Sequence, residues 1–290
     1  MLTLSHTFQM FLAQPTFAAR TRESYAEDLA PLMRALGEAP ISALTSHVAT
    51  DFLAAQEHLA ASAYNRRFAA LRSFVRWLQD QSFMESDPLE GLRCRPLRPL
   101  PSRALNAESV EARLRTIQDT RDRALFWLIY EGGLRVNETL SLNIEDIDWT
   151  ERSIRLHGKG DRLRDMFFSR DVSKLLAKYL KTRGDPTSGP LFVTHRKARA
   201  PRYADLSADG YARLSYRQAD TLWKHYTPDW DLLQLRHTAI SVRAANSYTE
   251  VDLKRFSGHQ SLRSLERYIA DNREAAKRKA REWERRQRSQ

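Results

Sequence analysis

From about Ser62 to Gln81 apolar side chains recur at steps of three and four, at Phe68, Leu71, Val75 and Leu78. That period places them on one face of an α-helix and predicts that the face lies against a core. Asn65, Arg72 and Arg76 fall together on an adjacent face, positioned either for phosphates or as an ordinary solvated basic surface. An earlier stripe, Val48, Phe52 and Leu59, predicts a helix over Thr45 to Leu59, with the Thr45 hydroxyl as a candidate N-cap. Residues 1 to about 92 therefore read as helices only.

The pattern then breaks. Arg93 to Arg103 carries three prolines, Pro96, Pro99 and Pro101, among four arginines, which include Arg95 and Arg98. Proline fixes φ and removes a backbone donor, so the stretch predicts an extended linker whose arginines can follow a phosphate backbone. Taking 93–105 as that linker gives an all-helical domain over 1–92 and a second domain over 106–290. The second domain mixes periods. Thr120 to Glu131 reads as a strongly apolar helix stopped by Gly132-Gly133, and a short helix follows from about Val136 to Leu142. Ile144–Asp148, Ser153–Leu156 and Leu163–Phe168 read as strands, with Gly158-Lys159-Gly160-Asp161 as the turn before the third. Helices are expected again over Val172–Lys181 and from Tyr211 onward. The fold class is thus mainly α with a small antiparallel β-sheet.

Composition narrows the partner. The 290 residues carry 47 Lys and Arg against 36 Asp and Glu, a formal charge of +11. Such an excess favours a polyanion, since cations that neutralise phosphates release condensed counterions. The lone Cys94 excludes an internal disulfide and a cysteine-based zinc site, and points to a reducing interior. No apolar run approaches the roughly 20 residues that span a bilayer, and the N-terminus lacks the pattern of a secretory signal. A soluble protein in the cytoplasm, on the nucleoid, is the expectation.

The candidate chemistry lies mostly near the C-terminal end. Arg236 stands in Leu235-Arg236-His237-Thr238, His259 in Phe256-Ser257-Gly258-His259, and Tyr268 in Glu266-Arg267-Tyr268. A guanidinium can clamp two phosphate oxygens in a planar fork. An imidazole can share a proton or hold the phosphate, and a phenol can act as nucleophile. Two further cations join them. Arg135 follows a glycine break at a helix entry, where backbone N–H groups already favour an anion. Lys159 sits at the tip of a hairpin. Singly, each has a plainer reading: a surface Arg paired with Glu131 or Glu138, a turn lysine, a helix-capping His, a half-buried core phenol. Arg236 is harder to explain away, because the Leu232–Ile240 stretch around it is apolar and an unpaired buried charge is costly.

Together these residues resemble the tyrosine recombinase (phage integrase) family. Arg135 matches the family's first Arg, followed by Glu138 in its acidic position. Lys159 matches the hairpin Lys, Arg236 the second Arg, His259 the second His-or-Trp position, and Tyr268 the nucleophile nine residues after it. Tyr64-Asn65-Arg66-Arg67 through Trp77-Leu78, followed by Asp87-Pro88-Leu89, is similar to the family's helical, SAM-like core-binding domain. The resemblance implies that domain plus an α+β catalytic domain, closing as a clamp on double-stranded DNA. It implies DNA contacts from Asn65, Arg66, Arg72, Arg76, Arg95 and Arg98, with no metal and no cofactor. Assembly as a dimer on one site and a tetramer in synapsis also follows from it, as does a simple two-domain type without an arm-binding domain.

Two positions depart from the family pattern. The His three residues before the second Arg is replaced by Leu233, which can neither hold a phosphate nor relay a proton. His237, next to Arg236, is expected to point elsewhere, and Gln234 would need a local shift to help. Ser257 stands where Leu is usual. A strand-transfer enzyme of reduced rate is one expectation, and a DNA-binding architectural or regulatory protein that has lost strand exchange is the other. A type IB topoisomerase-like activity shares the chemistry but not the first domain.

Overall fold

The computed structural model describes residues 2–97, 103–157, 163–197, 206–246, 248–259, 261–266 and 268. The chain divides into two units, Met1–Pro99 and Leu100–Gln290.

The first unit is helical throughout its described part: α1 (Leu4–Leu12), α2 (Ala19–Leu36), α3 (Ser46–Ala54) and α4 (Ala61–Asp80). Its core forms because α4 buries Phe68, Leu71, Phe74, Val75 and Leu78 against Leu4, Phe8 and Phe11 of α1 and Leu29 and Leu32 of α2. Aromatic edges supply the shape, with Phe74 edge-on to Phe8 at 5.4 Å and Phe11 edge-on to Phe17 at 5.0 Å. Thr45 caps α3 by accepting from the Val48 N–H. The helix it starts ends at Ala54 and does not run on to Leu59 as the periodicity suggests. The chain turns there, and the buried Gln56 side chain accepts from Arg67 of α4.

The second unit is built around α6 (Thr120–Gly132), capped by Asp119 and buried on nearly every side, as a helix at the centre of a domain must be. Around it stand α5 (Ala107–Thr116), α7 (Val136–Ser141), α8 (Arg170–Thr182), α9 (Tyr216–Tyr226) and α10 (Leu232–Ala245), followed by α11 (Glu250–Ser257). Strands β1 (Ile147–Asp148), β2 (Ser153–His157) and β3 (Leu163–Phe167) form an antiparallel sheet, with Ile154 opposite Met166. The expected strand over Ile144–Asp148 is shorter, because Ile144–Asp146 closes into a 3₁₀ turn.

A second small sheet was not expected. β4 (Val193–Lys197) pairs antiparallel with β5 (Tyr211–Arg213), so Tyr211 begins a strand and not a helix. Two charges hold this corner to α6. Arg121 and Asp122, both buried, pair at 2.6 Å. Arg121 also donates to the Val193 carbonyl of β4, and Asp122 accepts from the Tyr226 hydroxyl of α9. Among the described residues no helix is long and apolar enough to cross a membrane.

Candidate nucleic-acid cleavage site

Helix α11 ends at Ser257 because Gly258 takes the left-handed conformation, φ 63°. Ending a helix leaves its last carbonyls without intrahelical partners at the negative pole of the helix dipole. Three guanidinium groups from elsewhere in the domain take three successive carbonyls here. Arg164 of β3 donates to Phe256 O, Arg236 of α10 to Ser257 O at 2.6 Å, and Arg135 to Gly258 O at 3.4 Å. The convergence of Arg135 and Arg236 needs no anion to exist.

Each cation is anchored a second time. Gly133, at φ 56°, ends α6 and turns its carbonyl toward Arg236, which donates to it at 2.5 Å. A Cβ at Gly133 would come within 2.5 Å of the Phe256 ring, so the turn requires glycine for space as well as for backbone sign. Arg135 precedes α7 and donates to Glu138 at 2.6 Å, and Arg164 donates to the other Glu138 oxygen at 2.9 Å. Burial pushes the Glu138 carboxyl up, but the Arg135 N–H, the Arg164 guanidinium and the Arg135 side chain outweigh it and hold the group below its ordinary range.

Arg236 is 5% exposed. Burial, then the like charges of Arg135 and Arg164, push its guanidinium down to about 10, with Glu138 and the Tyr268 phenol opposing them. A cation held in so dry a place gains more from an arriving phosphate than a solvated one does.

His259 and Tyr268 complete the group. Ser257 spends its hydroxyl proton on Leu253 O at 2.6 Å, so it accepts from His259 Nδ1, 2.6 Å away. That fixes the ring's tautomer. Tyr268 is 3% exposed, packed with Ile240, Leu253 and Leu265. Its ring lies 6.2 Å from that of His259. The Tyr268 hydroxyl is 2.6 Å from His237 Nδ1, so His237 does not point away from the site as expected. Tyr268 approaches α10 from the side that His237 and Ile240 share, one step around the helix from Arg236.

Of the residues singled out in the sequence, Arg135, Arg236, His259 and Tyr268 are brought together. Lys159 and Arg98 lie outside the described residues. Leu233 is half exposed at 50%, and Gln234 is already engaged, accepting from Asp231 N and donating to Arg103 O. Arg164 and His237 are the members that motif reading left out.

The expected DNA contacts in the first unit divide into two groups. Asn65 exchanges hydrogen bonds with the Arg95 backbone at 2.7 and 2.8 Å, and Arg95 stacks over the Tyr64 ring at 3.9 Å. Arg66 makes a two-pronged ion pair with the buried Asp28, which pushes its guanidinium up, chiefly through the hydrogen bond. Those three hold the unit together. Arg72, over Phe68 at 4.4 Å, and Arg76 are exposed along α4.

Among the described residues one group has ligand-type atoms within reach of a shared ion: Asp119, Asp122 and His195. Its carboxylates are already occupied by the Asp122 N–H, His195, Arg121 and Tyr226.

Comparison with known proteins agrees with this picture. The phage integrase family matches residues 103–275, and the phage integrase N-terminal SAM-like domain matches 7–82. Relatives include the tyrosine recombinase XerC of Syntrophus aciditrophicus (strain SB), 28% identical over 221 residues that cover 71% of this chain and 68% of that protein. XerC of Vibrio parahaemolyticus serotype O3:K6 is also 28% identical, covering 73% and 68%. Among solved structures, the fold resembles the Tn1549 transposon integrase in complex with a circular intermediate DNA, with TM-score 0.71, 15% identity and coverage of 98% of this chain and 100% of that one. It also resembles the XerH site-specific recombinase bound to its difH substrate, with TM-score 0.64, 20% identity and coverage of 91% and 79%. With the family matched over most of its length, and a phenol, an imidazole and two arginines gathered at one helix end, the chain belongs to the phage integrase family of tyrosine recombinases.

Proposed function

We propose that this protein cuts and rejoins double-stranded DNA at a specific site through a 3′-phosphotyrosyl link on Tyr268. The observation that carries this reading is the gathering of Arg135, Arg236 and His259 around the Ser257–His259 turn, with the Tyr268 ring 6.2 Å from that of His259. A scissile phosphate placed there takes over the guanidinium donors now held by backbone carbonyls. Arg135 and Arg236 steady the non-bridging oxygens as negative charge builds on them. His259 adds a hydrogen bond to one of those oxygens. The Tyr268 oxygen attacks phosphorus and the 5′ oxygen leaves, with Lys159 as the general acid for it. The phosphodiester energy stays in the ester, so rejoining needs no nucleotide cofactor.

The same reading takes 1–92 as a core-binding domain that contacts duplex DNA through Arg72 and Arg76, 93–105 as a basic linker, and 106–290 as the catalytic domain. Two protomers would occupy one site and four would exchange strands in synapsis.

Genomic fragments recovered on the protein supply the site, and a nicked suicide duplex carrying that site tests the chemistry. A covalent adduct that survives denaturation and is lost in Tyr268→Phe is the expected result. A second reading, binding without strand exchange, draws on Leu233: the helix position that carries a phosphate-binding His in the family holds a half-exposed apolar side chain. Tight site-specific binding with no adduct from the wild type would favour it and would overturn the first.

A further inference from the structure

Leu233 removes a proton-relaying group from the first turn of α10, yet an imidazole stands one turn further along the same helix. His237 Nδ1 lies 2.6 Å from the Tyr268 hydroxyl, and the two rings are 5.6 Å apart at an interplanar angle of 31°. A general base must lie within hydrogen-bond reach of the proton it removes, about 2.6–3.2 Å between heavy atoms. His237 meets that distance before any substrate arrives. Resting on Tyr268 as nucleophile, we propose that His237 is the general base of this enzyme, doing from position 237 what the residue at Leu233 cannot.

The step balances without an added reactant. As the Tyr268 oxygen bonds to phosphorus, its proton passes to His237 Nδ1 and the bond from phosphorus to the 5′ oxygen breaks. That oxygen takes its proton from a general acid. In the reverse step the 5′ hydroxyl bonds to phosphorus and gives its proton back to that general acid, the bond from phosphorus to the phenol oxygen breaks, and the His237 imidazolium returns its proton to the departing phenolate. Rejoining therefore restores the starting state of the pair.

The surroundings suit the role. Leu232, Leu235 and Ala239 on the opposite side of α10 are buried in the main core and fix the helix, while Ile240, one turn after His237, packs with Tyr268. His237 also borders a pocket of about 210 Å³ shared with Arg103 and Asp231, which lie 4.0 Å apart, and with Tyr216 and Asp220 of α9. His237 thus sits between the buried phenol and a polar pocket. His259, the other imidazole near Tyr268, is committed to Ser257 through Nδ1.

Three variants on a suicide duplex test this, with gel-shift binding of the same duplex measured alongside. His237→Ala should bind normally and cleave about 100-fold more slowly or worse, the usual share of a general base, and added imidazole should restore part of the rate. His237→Asn can still accept the phenol hydrogen bond but cannot take its proton. It should stay slow, and it should lack the rise in wild-type rate that accompanies imidazole deprotonation. A His237→Ala rate within threefold of wild type, an Asn variant as fast as wild type, or a loss that imidazole leaves untouched would each overturn the proposal. Tyr268→Phe separates the two levels. A wild type that forms no adduct defeats the function itself, whereas a Tyr268-dependent adduct with full His237→Ala activity defeats only the role of His237.

Discussion

In an Arg236→Met variant an apolar chain of similar length replaces the most deeply buried cation of the site. Two opposing changes follow. Burial and like charges push the Arg236 guanidinium down to about 10, well below its ordinary range. That depression corresponds to about 3 kcal/mol by which the folded state disfavours the charged form, and methionine relieves it. Against this, the carbonyls of Gly133 and Ser257 lose their donors, at about 1–2 kcal/mol each. The terms nearly cancel, so stability should change by no more than about 1 kcal/mol, or roughly 2–4 °C in Tm for a domain of this size. The sign with pH is specific too. The folded pKa lies below the unfolded one, so stability rises only as pH climbs from about 10 toward the ordinary guanidinium range, and across neutral pH the cost is constant. Chemistry should respond quite differently. Losing a preorganised charged donor to the phosphate should slow adduct formation by about 10³-fold. Calorimetry at pH 7 and a suicide-duplex time course on the same preparation measure both. A Tm fall that corresponds to more than about 3 kcal/mol would make Arg236 a structural staple. Adduct formation at the wild-type rate would remove it from the site.

Asp122→Ala strands the buried Arg121 and frees the Tyr226 hydroxyl. It should destabilise the catalytic unit by about 3–5 kcal/mol by denaturant titration, whereas Glu23→Ala at the exposed Arg20 pair of the first unit should be near neutral. Ser257→Ala releases His259 Nδ1 while leaving α11 capped by Gly258. Cleavage should fall about tenfold with binding unchanged, a typical cost for losing the group that orients a histidine. Burial, then Glu111, pushes the Tyr130 phenol up to about 12. The unfolded chain therefore ionises this phenol first, and stability should drop as pH rises from about 10 to 12. Glu138 acts at the other end. Its carboxyl is held low in the fold, so its contribution is complete above the ordinary carboxylate range and fades as pH falls below it. Alanine at Glu138 should flatten the acid limb of a stability–pH curve.

Much of the site is legible in the chain because its chemistry depends on residue type at short spacing. The step from His259 to Tyr268, the glycine break before Arg135 and the apolar run around Arg236 are local facts. The local structure follows from them: a left-handed glycine ends α6, another ends α11, and Arg236 is buried. Asn65 and Arg66 show the limit of such reading. A polar face on α4 looks the same whether it waits for phosphates or pairs with Asp28 and the chain near Arg95, since those partners lie 30 or more residues away in sequence. The sheet of β4 and β5 escaped for a related reason. A three-residue strand has no period to detect, and only its distant partner makes it a strand.

Arg164 and His237 escaped for a more informative reason. Each acquires its contacts only when α11 and Tyr268 arrive from later in the chain. Arg164 would pass for a strand surface residue, yet it joins Arg135 on Glu138 and shares with Arg135 and Arg236 the last carbonyls of one helix end. Sequence fixes the rotation of His237 about 100° from Arg236 along α10 but not what will meet that face. What meets it is the Tyr268 hydroxyl. A helix end that parks three arginines on its own carbonyls holds the cations converged while keeping each satisfied. A phosphate then has only to compete with backbone oxygens for donors already in place. Under the proposed chemistry, Leu233 takes away one imidazole while His237 stays in contact with the phenol.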